Sequence, residues 1–341
     1  MYGTFVVQGG GSEEQFAELK KVLEGVIDEK FPMIDHQFPA GSRRKDHDGK
    51  DEVARLAPMV NGTGTGRRIA PRRQRRKLIP FGWYGGKFTH LDFILPHIPR
   101  DADHFCDVYG GSAVVLLNLP PFPVETYNDI DSELVNFFRV LRNDQDRLER
   151  AIGLTPFSRE ELVDACQPAT GVSDLERARR FYVRARQTRT GLAQKSSEGR
   201  WAHCVLTSRA GMAGAVSRWL GSVKALPEIA QRFQRVQVEN APAIEVIQRY
   251  DTPKTVFYLD PPYVHSSRGD ASAYGFEMTD SDHTALAKTL GGIRGRAVLS
   301  GYSTPIYDKL YANWHRVGGP VKNCHSVRKP RQEVLWMNFP P

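Results

Sequence analysis

"TVFYLDPPYVHS" (residues 255–266) runs from an apolar stretch straight into an acid and two prolines. Thr255 to Leu259 are β-branched, aromatic or aliphatic, and a short continuous run of such residues reads as a strand buried on both faces. Asp260 ends it. Pro261 and Pro262 lack a backbone N–H and have a fixed φ, so the chain must leave the sheet in a stiff extended turn. The carbonyls of that turn and the Asp260 carboxylate are acceptors, and Tyr263 offers a flat face beside them. Acceptors next to an aromatic plate suit a planar ligand that bears an amino group. The carboxyl end of a strand is also where open α/β sheets bind ligands. The competing reading is an ordinary Pro-rich turn, and the rest of the chain decides between the two.

From Pro80 onward the periodicity alternates between strand and helix, as in an α/β fold. "HFCDVYGG" (104–111) and "VETYNDID" (124–131) each read as a strand ending in an acid and a turn. "RVQVEN" (235–240), "TVFYLD" (255–260) and "RAVLSGY" (296–302) repeat the pattern, and "QEVLWMNF" (332–339) reads as a final strand. Helices are predicted over 112–119, 132–142, 242–250 and 281–291. Between 145 and 234 the sequence turns helical and Arg-rich, as in "LERARRFYVRARQTRTG" (175–191), which reads as an insertion that splits the sheet. The expected organisation is therefore an N-terminal extension (1–76), a body built from 77–144 and 235–341, and an inserted helical domain (145–234).

The extension has a different composition. Glu13 to Lys30 carries Phe16, Leu19, Leu23 and Val26 at helical spacing. Residues 40–76 are polar and Gly-rich, cannot bury a core, and are expected to form a loose arm. The arm ends in Arg67, Arg68, Arg72, Arg73, Arg75, Arg76 and Lys77 with no acid among them. Such a run reads equally as a solvated tail or as a phosphate-contacting arm.

At 341 residues the chain can bury a full core, and its net charge of +8 favours an anionic partner, nucleic acid first. Cys106, Cys166, Cys204 and Cys324 are scattered without zinc spacing, so reduced thiols in a cytoplasmic protein and no metal are expected. No stretch approaches the roughly 20 apolar residues that span a bilayer, which makes a soluble protein the expectation.

Three further segments carry chemistry. "FGWYGGKF" (81–88) fails as a phosphate loop, because Phe81 and Phe88 stand where that motif needs Gly and Ser or Thr. A Gly-Gly turn between an aromatic pair and a lysine can instead gather backbone, ring and cation around one ligand. "DVYGGSAVVLLNL" (107–119) follows a strand and opens a helix, with Gly110 and Gly111 allowing close approach of backbone to ligand. One strand later, "YNDID" places Asp129 where nucleoside-binding folds hold ribose hydroxyls, or where a helix needs a cap. No third phosphate-cradling glycine follows, which argues against a pyrophosphate cofactor such as NAD.

The ordered set "FGWYGGK", "DVYGGSAVVLLN", "YNDID" and "YLDPPY" resembles the Dam-type adenine-N6 DNA methyltransferases. "VENAPAIEVI", "AVLSGYSTPIYDKLY" and "RQEVLWMN" extend the resemblance over 78–341. It implies a Rossmann-like class I methyltransferase sheet, an inserted helical target-recognition domain, S-adenosylmethionine as cofactor and duplex DNA as partner. By that resemblance Trp83, Gly86 and Lys87 contact the cofactor, and the turn from Asp107 through Tyr109 and Gly111 to Ala113 cradles its methionine end. Asp129 would hold the ribose, Asn240 would flank the cofactor adenine, and Asp260 would border the same site. Asp260, Pro261, Pro262 and Tyr263 would act on the target base. The chain has Val108 and Ala113 where the family usually has Pro and a second Gly, and Ala113 allows the same close approach only with a negative φ.

The implied chemistry is physically coherent. The N6 lone pair of adenine is delocalised into the ring, and acceptors at the Asp260 carboxylate and Pro261 carbonyl can bind its two protons and aim the lone pair at the methyl donor. Tyr263 would stack on a base flipped out of the duplex. Asp before the prolines favours adenine over cytosine N4, the alternative enzyme reading; a DNA-binding relative with a decayed site is the alternative outside enzymes. Arg184, Arg186, Arg189, Lys195 and Arg200 of the insertion, with Arg72, Arg73, Arg75 and Arg76 of the arm, are the expected DNA contacts.

Overall fold

Alternate residues of one strand, Val256 and Tyr258 on one side and Phe257 and Leu259 on the other, enter two separate hydrophobic clusters. That alternation is why an unbroken apolar run is needed here: both faces of the strand are covered. The protein was analysed as a computed structural model that describes residues 76–189, 200–264, 276–324 and 329–340. The helix expected over 13–30 and the arm as far as Arg75 lie outside the described residues, as does Lys195.

The strands are β1 (His104–Asp107), β2 (Val124–Asn128), β3 (Ser208–Arg209), β4 (Met212–Ala213), β5 (Gln237–Glu239), β6 (Thr255–Leu259), β7 (Arg296–Tyr302), β8 (His315–Cys324) and β9 (Lys329–Met337). Seven of them form one sheet in the order β5-β2-β1-β6-β7-β9-β8, and β3 and β4 form a separate hairpin. The pairs from β5 to β7 are parallel, while β9 runs antiparallel to both β7 and β8. The chain steps outward from β1 to β2 and β5, then returns to the other side of β1 with β6. The order therefore reverses between β1 and β6, and that is the crevice where open sheets of this kind hold ligands. Asp107 ends β1 and Asp260 directly follows β6, so both acids stand at the mouth of that crevice.

Helices cover both faces. On one side Ser132–Asn143 is capped by the Asp131 carboxylate, which accepts from Glu133 and Leu134 N–H groups. On the other, Asp280–Leu290 begins with a reciprocal capping box between Thr279 and Asp282. Between β2 and β5 lie the helices Gln145–Leu154, Arg159–Ala165, Asp174–Gln187, Gly214–Val223 and Leu226–Phe233. Their apolar residues Leu148, Ile152, Phe181, Tyr182, Trp219 and Phe233 join the same cluster as Phe81, Phe137, Phe138 and Tyr127 of the body. The exit of this helical segment is fixed by a bidentate ion pair. Arg232 reaches Glu125 Oε2 at 2.7 Å and Oε1 at 2.6 Å, and both side chains are buried.

The strand β8 was not expected. Gly318, Gly319 and Pro320 interrupt its apolar pattern, and the pairing with β9 slips between Gly318 and Val321, an irregularity that an edge strand tolerates.

Candidate active site

The glycine turn after β1 is shaped by what surrounds it. A Cβ on Gly110 would fall 2.1 Å from the Tyr127 ring, and one on Gly111, whose φ is +50°, would fall 2.9 Å from Trp83. Ala113, which would allow the close approach only with a negative φ, adopts φ +56° instead. It is pinned there because its N–H donates to the Gly110 carbonyl at 2.7 Å while Tyr127 OH holds the Gly111 carbonyl at 2.8 Å. The helix behind the turn, Val114–Asn118, is only five residues long, so the turn itself and not a helix N-terminus provides the ligand-facing backbone.

Trp83, Gly86, Lys87, Asp107, Tyr109, Gly111, Asp129 and Asp260 all line one cleft of about 680 Å³, open mouth included. Asn240 is not in its wall; its side-chain amide donates to the Asp129 carbonyl at 2.8 Å and steadies that rim. Asp129 accepts the Gly111 N–H at 2.9 Å and the Asp131 N–H at 2.9 Å. The helix cap is thus Asp131, and Asp129 is left to border the cleft. Burial pushes its carboxyl up to about 6.

Asp107 is buried, and its Oδ1 has no hydrogen-bond partner among the described residues. Burial, then repulsion from Asp260 and Asp129, pushes its carboxyl well above the usual range. An orphaned buried acceptor in a cleft wall is costly unless a ligand supplies a donor.

At the other end of the cleft, Lys87 Nζ lies 2.7 Å from Asp260 Oδ1 and 3.6 Å from Glu333 Oε1. It also donates to the Gly85 carbonyl at 2.9 Å and to the Tyr263 hydroxyl, which in turn donates to Glu333 Oε1 at 2.9 Å. Burial alone would lower the Lys87 pKa, but the two carboxylates outweigh it and the net shift is upward. Burial raises Asp260 and Glu333, with Lys87 opposing in both. Ser300 Oγ donates to the same Asp260 oxygen at 3.1 Å. Lys87 and Ser300 therefore hold Oδ1, while Oδ2 has no protein donor among the described residues.

These features, a glycine turn between β1 and an Asp129 rim and an Asp-Pro-Pro-Tyr turn after β6, coincide with a family model, the D12 class N6 adenine-specific DNA methyltransferases, that matches residues 83–321. The chain belongs to this family. It is therefore a DNA methyltransferase, and its family implies an S-adenosylmethionine-type methyl donor. The chain is similar to the type II methyltransferase M1.LlaDCHI of Lactococcus lactis subsp. cremoris, 23% identical over 78% of this chain and 98% of that protein. It is also similar to the type II methyltransferase M.MjaIII of Methanocaldococcus jannaschii, 22% identical over 75% of this chain and 97% of that protein.

Several residues sit otherwise than expected. Tyr263 does not present a flat face: it is 7% exposed, edge-on to Tyr302 at 4.6 Å, with its hydroxyl in the Lys87–Glu333 network. A buried phenol needs partners for its O–H, and this network provides them. Arg184 and Arg186 turn inward, donating to the Ala165 carbonyl at 2.6 Å and the Ile79 carbonyl at 3.2 Å. Lys77 pairs with Asp92 at 2.7 Å. Arg76, Arg189 and Arg200 are exposed. Sequence reasoning missed Glu333 and Ser300; the one available signal was an acid abutting the apolar half of β9, Glu333, and a hydroxyl within the apolar run of β7, Ser300.

Proposed function

We propose that the protein transfers the methyl group of S-adenosylmethionine to the N6 amino group of adenine at a specific site in duplex DNA. The observation that carries this reading is the Asp260 carboxylate, fixed through Oδ1 at the carboxyl end of β6 with Oδ2 left to accept. When bound, S-adenosylmethionine supplies an electrophilic methyl group on a positively charged sulfur. The cleft suits it. Asp107 offers its orphaned oxygen to the α-amino group, the glycine turn admits the methionine end without a Cβ, and Asp129 accepts from the ribose.

In this reading Asp260 Oδ2 and the Pro261 carbonyl accept the two N6 protons, which orients the lone pair and stabilises the positive charge that grows on nitrogen. Lys87 keeps Asp260 ionised against its burial, and Ser300 fixes the plane of the carboxylate. Pro261 and Pro262 keep the two acceptors in a constant relation. Tyr263 serves first as a strut between Lys87 and Glu333; stacking on the base asks its ring to leave that network. The helical segment and the exposed β3–β4 hairpin, with Arg209 and the exposed Val205 and Leu206 just before it, form the DNA-reading surface.

The test is tritium transfer from labelled S-adenosylmethionine to duplex DNA, followed by nucleoside analysis and long-read mapping in a methylation-deficient host. N6-methyladenine at one recurrent sequence is expected. N4-methylcytosine would move the reading to the other exocyclic amine, and cofactor binding without transfer would mark a decayed relative.

A further inference from the structure

The Arg-rich helix Asp174–Gln187 spends most of its cations internally. Arg177 pairs with Glu133, Arg179 with Glu176 and Glu161, and Arg180 with Glu176. Its end is different. Arg186 and, just beyond, Arg189 line a second pocket together with His203, Arg218, Thr188 and Phe157. Three guanidinium groups and an imidazole meet there, and no carboxylate is among the lining residues. Arg189 Nη2 has the His203 ring at 3.0 Å as its neighbour, and among the described residues no acid pairs with Arg186, Arg189 or Arg218.

Arg186 sharpens the point. Its Nη2 is used on the Ile79 carbonyl, while its Nε is buried with no acceptor. An unsatisfied buried donor costs on the order of 1–3 kcal/mol, and neighbouring like charges add repulsion. A bound anion relieves the repulsion, and guanidinium forks match phosphate oxygens pairwise. We propose that this pocket binds one phosphate group of the DNA backbone.

The proposal rests on the DNA methyltransferase reading and adds a location to it. Phe181, five residues before Arg186 and so about 7.5 Å along the helix, packs against Trp83 of the cofactor cleft at 6.1 Å between rings. One rigid element thus backs Trp83 of the cleft wall and carries the cationic pocket. A phosphate held at its end sets how far the duplex lies from Asp260 without reading any base.

The test uses the full chain and the duplex identified by methylation mapping, with single phosphates neutralised in turn as methylphosphonates. For the parent, neutralising one linkage should weaken binding at least about fivefold, in line with the loss of a charge-assisted contact. The R189Q/R218Q variant should be indifferent to that linkage, and the slope of log affinity against log salt should fall by about 0.9. Both side chains are exposed, so the thermal shift produced by S-adenosylmethionine should match the parent and report an intact fold. A variant that keeps the parent's salt slope and its sensitivity at each linkage would overturn the pocket while leaving methylation standing. A parent that neither binds nor methylates duplex DNA would overturn the functional reading itself.

Discussion

Lys87 Nζ lies 2.7 Å from Asp260 Oδ1, which joins the glycine turn near the start of the described chain to the acid that follows β6. The pair is nearly buried, with side-chain exposures of 3% and 17%. Removing one member of such a pair leaves the other charged and unmatched, at about 3–5 kcal/mol. Lys87→Met should therefore lower unfolding stability by roughly that amount and abolish transfer. Urea denaturation with a parallel activity assay checks both.

Asp260→Asn removes the charge with little change in shape. Methyl transfer should fall by at least about a hundredfold, the scale of one lost electrostatic stabiliser, with the cofactor Kd within about tenfold. Isothermal calorimetry and single-turnover kinetics separate the two; turnover near the parent's would end the acceptor role.

Glu333 acts through Lys87 and Tyr263 and touches neither base nor cofactor in the proposed reaction. Glu333→Gln should lower kcat by about tenfold, equivalent to 1.4 kcal/mol, and leave KM for the cofactor nearly unchanged. It should also move the acid limb of the kcat profile downward, because the like charge that repels the Asp260 carboxylate is removed. An unshifted profile would reduce Glu333 to a packing role.

Asp129 carries a testable pH dependence. Its folded-state pKa, raised to about 6, means that its contribution to stability is complete below the ordinary carboxylate range and is lost as pH rises through 6. Ribose hydroxyls prefer the ionised form as acceptor, so cofactor binding follows the opposite course. The thermal shift produced by S-adenosylmethionine should grow between pH 5 and 7.5 in the parent and stay flat in Asp129→Asn.

Gly110→Ala puts a methyl group into the Tyr127 ring, which is buried and hydrogen-bonded to the neighbouring turn. Overpacking of this kind costs about 1–3 kcal/mol. The loss should appear in urea midpoints together with weaker cofactor binding, since the same turn borders the cleft.

Much of the site was legible because local chemistry announces it. The run 255–259 had to be a two-faced strand, and Asp260 had to follow it at the sheet's edge. The two glycines also marked their turn, and both meet an aromatic ring where a side chain would start. What stayed hidden depended on partners distant in sequence. Glu333 reaches Lys87 and Tyr263 only once β9 inserts between β7 and β8, and no spacing rule connects those three residues. Arg184 misled for a related reason, since an arginine serves a buried carbonyl as readily as a phosphate. Ala113 does not meet the condition of a negative φ. Hydrogen bonds on both sides of the turn fix its backbone and override the preference of an L-residue for negative φ, at about 1–2 kcal/mol.

The Arg232–Glu125 pair has a consequence for anyone who grafts recognition segments between members of this family. Glu125 sits within β2 and is fully buried, whereas Arg232 arrives from the last helix before β5. A transplant bounded at 145 and 234 carries away the buried cation and leaves Glu125 only the half-exposed Arg235 at 3.2 Å, so the hybrid would lose stability for reasons unrelated to sequence reading. The seam belongs upstream, before Leu226, so that Leu226–Phe233 stays with the recipient; a transplant that includes this helix needs Glu125 replaced by an apolar residue of similar volume.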